Sequence, residues 1–220
     1  GIFVIEDCCE AHGAVITRNG VDQKVGTFGD LGLFSFYYGH HITTIEGGML
    51  SCSNENYYQL LRMFRSHGMT REASSEVSAG YEKDFPNLNP LFTFAVAGFN
   101  FRSTELNAVI GLGQMRKLDS NIKIRRENLA YWLNVLDNKK YFTSFSVGGN
   151  SNFALPLILK ENNTKLLDRV KSIFVEMEVE FRLGTAGGGN LSKQPFVQNS
   201  VHRIADDQTN VDFIHDFGLY

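Results

Sequence analysis

The hydrophobic positions in the first third of the chain fall in short runs, each bounded by glycine or by acidic residues. Runs at Ile2–Ile5, Leu31–Tyr37 and Gly48–Cys52 are rich in β-branched and aromatic residues, which is typical of buried strands. Asn54 is a good helix cap and predicts a helix that ends near Arg65. Strands that end in polar residues, with helices between them, predict an α/β sheet with its site at the strand ends.

The middle of the chain has helical spacing. A helix is predicted from Ser103, whose hydroxyl caps a first turn that contains Glu105. The apolar residues that approximate one helical face are Leu106, Val109, Ile110 and Leu118, and a cleaner stripe follows at Leu129, Trp132, Leu133 and Leu136. Both stripes are most simply interpreted as core packing.

The pattern changes around residues 138–141. Runs at 153–159 and 179–183 predict strands on either side of a helical stripe that ends near Met177. We therefore predict part of a large domain over residues 1–138 and an incomplete smaller α/β domain over 139–220. The glycine-rich loop 184–190 permits close approach of a ligand, although a plain connecting loop is an equally good interpretation. Both ends interrupt apolar segments, so the chain is interpreted as a partial excerpt of a longer enzyme.

Composition narrows the class of protein. With 43% hydrophobic and 20% charged residues, the 220-residue chain has the composition of an ordinary globular protein. The net charge of -3 offers no basic field for nucleic acid or for an anionic membrane, and no apolar stretch approaches the roughly 20 residues that cross a bilayer. Cys8, Cys9 and Cys52 form neither a disulfide framework nor a CxxC pair. A cytoplasmic protein with reduced thiols is expected.

The first chemical signal is the acidic end of the first predicted strand. Glu6 and Asp7 close the strand, and Glu10 and His12 follow. A carboxylate at the end of a strand can pair with a protonated ring nitrogen, as pyridoxal phosphate requires to remain an electron sink. Taken alone, an acidic strand end is more often a helix cap or a solvated turn.

The second signal is the segment FSFYYGHHITTIEGGM, which is a strand, a polar turn and a glycine-rich stretch in succession. Ser35 could donate its hydroxyl to a phosphate, next to glycine-permitted backbone. His40 and His41 could form a metal pair, but neighbouring residues of an extended segment point to opposite sides. Without cysteines or carboxylates at matching spacings, no metal site is predicted.

Four segments together resemble one family: EDCCEAHG, GDLGLFSFYYGHHITTIEGGM, RSHGMTR and GFNFRSTELNAVIGLGQMRKLD. They are similar to the DegT/DnrJ/EryC1/StrS sugar aminotransferases across most of the chain. The resemblance implies the aspartate-aminotransferase-type fold (pyridoxal phosphate fold type I) with a mostly parallel central sheet. It also implies pyridoxal phosphate, nucleotide-linked keto-sugar substrates and a homodimer with composite active sites.

The resemblance implies roles for individual positions. Asp7 would pair with the ring nitrogen of the cofactor, Glu10 would lie by its ring hydroxyl, and Ser35 would bind its phosphate. Asn100 would reach the phosphate in the neighbouring subunit. The family usually has glutamine or a similar residue where Glu10 lies, so this position departs from the family's pattern.

His40 is the decisive departure, because it stands five residues after Ser35, where the aminotransferases have the lysine that holds the cofactor. Histidine has no primary amine, but its ordinary pKa of about 6.5 suits proton transfer. The same replacement marks a branch of the family that dehydrates nucleotide-linked 4-keto-6-deoxy sugars at carbon 3. The implied function is 3-dehydration, with GDP-4-keto-6-deoxymannose as the expected substrate and pyridoxamine phosphate as the working cofactor.

The resemblance also suggests glutamate as the amino donor, and its carboxylates need cations. The candidates are His67, Arg71 and Arg182. The first two lie on one side of a helix if that segment is helical. Without the family match, each of the three is as readily a solvated surface cation.

Two other functions stay open: an aminotransferase that manages without the lysine, and a catalytically silent relative that only binds a sugar nucleotide or a partner.

Overall fold

The chain is described by a computed structural model at residues 1–184, 189–205 and 207–220. These residues form two compact units: residues 1–124 with 149–153, and residues 125–148 with 154–220. The units reflect contacts within this chain, so the predicted domain boundary at residue 138 stays a prediction. Residues 185–188 of the predicted glycine-rich loop lie outside the described residues.

The helices and strands are short, apart from one long helix. The strands are β1 (Ile5–Asp7), β2 (Val15–Arg18), β3 (Val21–Lys24), β4 (Leu31–Ser35), β5 (Gly48–Ser51), β6 (Leu157–Ile158) and β7 (Gly218–Leu219). The α-helices are α1 (Glu55–Phe64), α2 (Ser75–Asp84), α3 (Glu105–Val135), α4 (Thr164–Glu176), α5 (Pro195–Gln198) and α6 (Thr209–Phe217). Single 3-10 turns lie at Thr70–Glu72, Pro90–Phe92 and Leu191–Lys193. None of the described helices is long and apolar enough to span a bilayer.

The central sheet of the first unit has the order β1-β4-β5. β1 runs parallel to β4, and β5 is antiparallel to β4, so the sheet is mixed. All three strands were predicted, but the first begins three residues later than expected, at Ile5. The prediction that Ile2 is buried was wrong for this chain, because its side chain is 92% exposed.

A hairpin that the hydrophobic pattern did not predict follows β1. β2 and β3 pair antiparallel with Arg18 opposite Val21, which leaves Asn19 and Gly20 as the two-residue turn. Both turn residues have positive φ, 51° and 77°, as the tight hairpin turn matching strand twist requires. The signal was present as the Asn-Gly pair, but the flanking residues are too polar to be recognised as strands.

α1 and α3 show where helix prediction succeeded and where it failed. Asn54 caps α1 as predicted, because its Oδ1 accepts the N–H of Tyr57 at 3.2 Å. The two predicted stripes lie on one 31-residue helix, α3, except for Leu136, which directly follows the end of the helix. Leu129 is buried, but Leu106 is 78% exposed, so the interpretation of the first stripe as core of this chain was wrong.

The core of the second unit is a cluster of aliphatic side chains with one phenylalanine. Its members are Leu157, Leu159, Leu167, Val170, Phe217 and Leu219. The predicted strand over residues 153–159 is reduced to β6, because its partner β7 is only two residues long. In the part of the chain that the structure describes, the predicted strand over residues 179–183 is reduced to a bridge between Leu183 and Leu219.

Candidate active site

Two of the predicted cofactor residues lie at one edge of the central sheet. Asp7 is the last residue of β1 and is in register with Leu33 of β4, so Ser35 lies two residues further along the neighbouring parallel strand. The Oγ of Ser35 accepts the N–H of Tyr37 at 3.2 Å, which fixes the hydroxyl at the end of β4. The sheet therefore brings a carboxylate and a hydroxyl to the strand ends, as predicted.

Asp7 is held as an anion. The thiol and the backbone N–H of Cys9 donate to its carboxylate, and with the charge of the His40 imidazole they hold the pKa of Asp7 below its ordinary value. The carboxylate in turn raises the pKa of the Cys9 thiol, to about 11, although burial is the larger cause. A fixed negative charge at this position suits a protonated ring nitrogen.

Glu6, the neighbour of Asp7, has a structural role that the sequence did not reveal. Its carboxylate accepts the backbone N–H groups of Gly26 at 2.7 Å, Phe28 at 2.6 Å and Gly29 at 2.7 Å. Burial raises the pKa of Glu6, but these three donors outweigh it and leave the pKa below its ordinary value. Glu6 therefore ties the loop before β4 to β1.

Replacing Glu6 by Gln is expected to lower the free energy of unfolding of the whole protein by about 2–4 kcal/mol at neutral pH. The amide loses the charge and turns an N–H group toward a backbone donor. Because the folded-state pKa of Glu6 is depressed, its stabilisation is present above the unfolded pKa and is lost as the pH falls through the folded pKa.

Urea unfolding of the parent and of the Glu6→Gln variant, between pH 7 and about pH 4, should show the difference shrinking toward the acid end. Glu161→Gln, at an exposed carboxylate, serves as the control and should change stability little at either pH. A Glu6→Gln effect that stays constant with pH would contradict the anchoring role of the carboxylate.

His40 lies in a loop that we call the histidine turn, residues 36–47. The turn is closed at its base by Phe36, whose N–H donates to the carbonyl of Gly47 at 2.8 Å and whose carbonyl accepts the N–H of Thr44 at 2.9 Å. Asn107 of α3 donates from its side chain to the carbonyl of Thr44 at 2.7 Å. The turn is therefore fixed both to β5 and to the start of α3.

The His40 ring is half-buried among aromatic side chains. Its centroid lies 5.5 Å from the ring of Tyr37 and 5.6 Å from the ring of Phe153, both edge-on. Its Nδ1 is buried and has no hydrogen-bond partner among the described residues.

Two further histidines lie close to His40 but differ from it. His41 is buried, and its Nε2 donates to the carbonyl of Ser151 at 2.9 Å. His12 is buried against Phe34 and Phe36, and burial, together with the imidazoles of His41 and His40, lowers its pKa to about 4. His12 is therefore neutral at neutral pH.

His67 and Asn100 lie on two segments that are joined by backbone hydrogen bonds. The N–H of His67 donates to the carbonyl of Phe99 at 2.6 Å, and Ser66 forms a bridge with Asn100. The side chains of both His67 and Asn100 are exposed. Arg102, whose Nε donates to Oδ1 of Asn100 at 3.3 Å, is a cation at this position that the sequence analysis did not single out.

Arg71 is held by three groups. Its guanidinium donates to the carbonyl of Leu91 at 3.0 Å, lies 5.4 Å from the centroid of the Phe92 ring and is 4.0 Å from the carboxylate of Glu72. The helical arrangement considered for His67 and Arg71 is not present, because His67 has a φ of 61° and Arg71 lies in a 3-10 turn.

The remaining predicted residues are less defined. Glu10 is half-buried in the loop after β1. Arg182 belongs to the second unit. There its backbone pairs with Tyr220, and its exposed guanidinium is 3.8 Å from Glu180. Within the described residues, no cluster of three or more histidine, cysteine or acidic side chains could hold a metal ion.

The model of the DegT/DnrJ/EryC1/StrS aminotransferase family matches residues 1–214 of the chain. Among curated proteins, the GDP-4-keto-6-deoxy-D-mannose 3-dehydratase of Yersinia pseudotuberculosis is 31% identical over the whole chain, and that of Escherichia coli O55:H7 is 29% identical. The chain covers 55% of each of these two relatives. It therefore spans about half the length of the curated relatives it matches.

Solved structures show the same likeness. The structure of GDP-4-keto-6-deoxymannose 3-dehydratase in a histidine-to-asparagine variant with bound GDP-perosamine has a TM-score of 0.84 at 29% identity. The Escherichia coli enzyme with bound hydrated pyridoxal phosphate has a TM-score of 0.81 at 28% identity. Both alignments include 99% of this chain but only 55% of the solved chain. The predicted fold class is confirmed.

Proposed function

Because this chain belongs to the DegT/DnrJ/EryC1/StrS aminotransferase family, we propose that the whole protein dehydrates a nucleotide-linked 4-keto-6-deoxy sugar at carbon 3. GDP-4-keto-6-deoxymannose is the proposed substrate, and glutamate is the proposed amino donor. Two relatives that are similar over the full chain carry this activity in their names. The observation that carries the proposal is His40, an imidazole at the place where the family's aminotransferases use a lysine amine.

The residues at the strand ends fit pyridoxal phosphate. Asp7 is an anion suited to a ring nitrogen, and Ser35 presents a hydroxyl suited to phosphate. When bound, the cofactor supplies an electron sink for charge that develops on the sugar. Glu10 is proposed to lie by the ring hydroxyl, and Asn100 is proposed to reach the cofactor phosphate in the neighbouring subunit.

His40 is proposed to move the proton that allows the hydroxyl at carbon 3 of the sugar to leave. An imidazole whose ordinary pKa is about 6.5 both accepts and returns a proton near neutral pH. The aromatic rings of Tyr37 and Phe153 limit the directions in which the imidazole can turn. The chain thus provides a proton carrier at this position and no amine for covalent attachment.

His67 and Arg71, both in the first unit, are proposed to bind the carboxylates of glutamate. The role predicted for Arg182 stays a prediction. Arg71 is already oriented by the Leu91 carbonyl and the Phe92 ring, which reduces the entropy lost on binding. In the net reaction the sugar loses its oxygen at carbon 3, while glutamate gives up two electrons and its nitrogen and leaves as 2-oxoglutarate and ammonia. Atoms and electrons balance between the two substrates.

We also propose a homodimer that acts in the cytoplasm. Phe99 and Phe101 flank Asn100, stack at 5.0 Å and are 57% and 73% exposed. Exposed aromatic side chains of this kind favour an interface next to Asn100. Cys8, Cys9 and Cys52 are all free, which is consistent with a reducing compartment.

The test uses the whole protein with pyridoxal phosphate, glutamate and GDP-4-keto-6-deoxymannose. We expect a sugar that lacks one oxygen, together with 2-oxoglutarate and ammonia in equal amounts. Mass spectrometry measures the sugar and 2-oxoglutarate, and an ammonia assay measures the released nitrogen. A stable amino sugar without ammonia would identify an aminotransferase instead. Tight binding of the sugar nucleotide without turnover would identify a silent relative.

A further inference from the structure

Residues 149–153 are far from the histidine turn in sequence but belong to the same compact unit. Gly149 accepts the N–H of Val15 through its carbonyl at 2.8 Å. Ser151 is 2% exposed, and its carbonyl accepts the Nε2–H of His41 at 2.9 Å. The segment, which we call the return segment, is therefore attached at two alternate residues.

Phe153 is the next alternate residue, and it reaches both histidines. Its ring centroid lies 5.6 Å from that of His40 with the rings at 77° to each other, and 6.4 Å from that of His41. Tyr37 contacts the His40 ring at a similar angle, 71°. His40 is therefore bordered by one ring from its own turn and by one ring from the return segment.

We infer that Phe153 is a positioning residue for His40 and that His41 acts with it by holding the return segment in place. The inference rests on the proposed function, because it concerns the orientation of the proposed proton carrier. Edge-on aromatic contact favours a defined ring orientation. Proton transfer requires the imidazole nitrogen within hydrogen-bond reach of its target, so a loose ring costs rate even when substrate binds normally.

The His41 hydrogen bond explains how one histidine of the pair can serve the other. Because a carbonyl oxygen only accepts, the Nε2 of His41 must carry the proton of this bond. His41 is therefore bound through Nε2 to the backbone of Ser151. This bond holds the return segment, and with it the Phe153 ring, beside His40.

The experiment compares Phe153→Leu with the parent whole protein, using two readouts. Single-turnover rates and KM are measured with GDP-4-keto-6-deoxymannose, and the order of the His40 ring is measured by carbon-13 relaxation of labelled histidine. We expect the rate of the sugar step to fall by about 10- to 100-fold with KM nearly unchanged, and the His40 ring to become more mobile. His41→Gln should change both readouts in the same direction.

Phe3→Leu is the matched control, because Phe3 makes a similar edge-on contact, 5.4 Å from the ring of Tyr57, elsewhere in the same unit. It should leave both the sugar step and the His40 signal unchanged. An unchanged rate and an unchanged His40 signal in Phe153→Leu would overturn the positioning role. If the parent shows no dehydration, the proposed function fails, while the relaxation measurement still decides whether Phe153 orders His40.

Discussion

Replacing His40 by Gln in the whole protein is expected to slow the loss of the sugar hydroxyl by about 10²- to 10⁴-fold. Glutamine has similar reach and still forms hydrogen bonds, but it neither accepts nor returns a proton at neutral pH. The carboxylate of Asp7 and the hydroxyl of Ser35 stay at their strand ends in this variant, so cofactor binding should change much less. Rapid-quench measurement of the deoxygenated sugar in a single turnover gives the rate directly.

His202→Gln is the control for this experiment, because His202 is exposed and contacts the carbonyl of Ser200, two residues away, at 3.0 Å. It should retain the parent rate. A His40→Gln variant that binds cofactor and still turns over at close to the parent rate would remove His40 from the reaction. The proton would then have to be carried by another group.

Replacing Gly68 by Ala is expected to lower the free energy of unfolding by about 3 kcal/mol or more. Gly68 has a φ of 83°, where a side chain is strained, and an added Cβ would overlap the carbonyl oxygen of Val96. The overlap is with backbone, so no side-chain rotation relieves it. The substitution would push the segment carrying His67 away from the one carrying Asn100.

Gly80→Ala provides the matched comparison. Gly80 lies inside α2, and an added Cβ there would meet nothing within 4 Å. The same chemical change should therefore stabilise the protein by about 0.5–1 kcal/mol, because alanine favours the helix. Thermal and urea unfolding of both variants and of the parent protein measure the two changes in the free energy of unfolding. Equal effects of the two substitutions would contradict the close contact at Gly68.

The sequence was informative where chemistry and local signals coincide. Asp7 was placed at a strand end and Ser35 within the strand predicted over Leu31–Tyr37, and the structure brings both to one sheet edge because that strand ends at Ser35. Asn54 was recognised as a helix cap because the cap is a local interaction. Local interactions of this kind can be recognised from residue type and spacing alone.

Other features could not be predicted because they depend on distant partners. Glu6 appeared to belong to an acidic strand end, yet it binds backbone groups 20 to 23 residues away. Phe153 appeared to begin a strand, and nothing in its neighbours indicated contact with His40. The Leu106 stripe had helical spacing, but spacing alone does not tell which surface of a helix the same chain covers.

The return segment also affects the order in which parts of the protein can fold during synthesis. Its bond between His41 and Ser151 spans 110 residues, and closing so long a loop costs entropy that only later contacts recover. During synthesis the histidine turn leaves the ribosome well before its anchor does. A protein truncated after residue 148 would keep His40 but lack both the acceptor for His41 and the Phe153 ring, so the histidine turn would lose its contacts with the return segment.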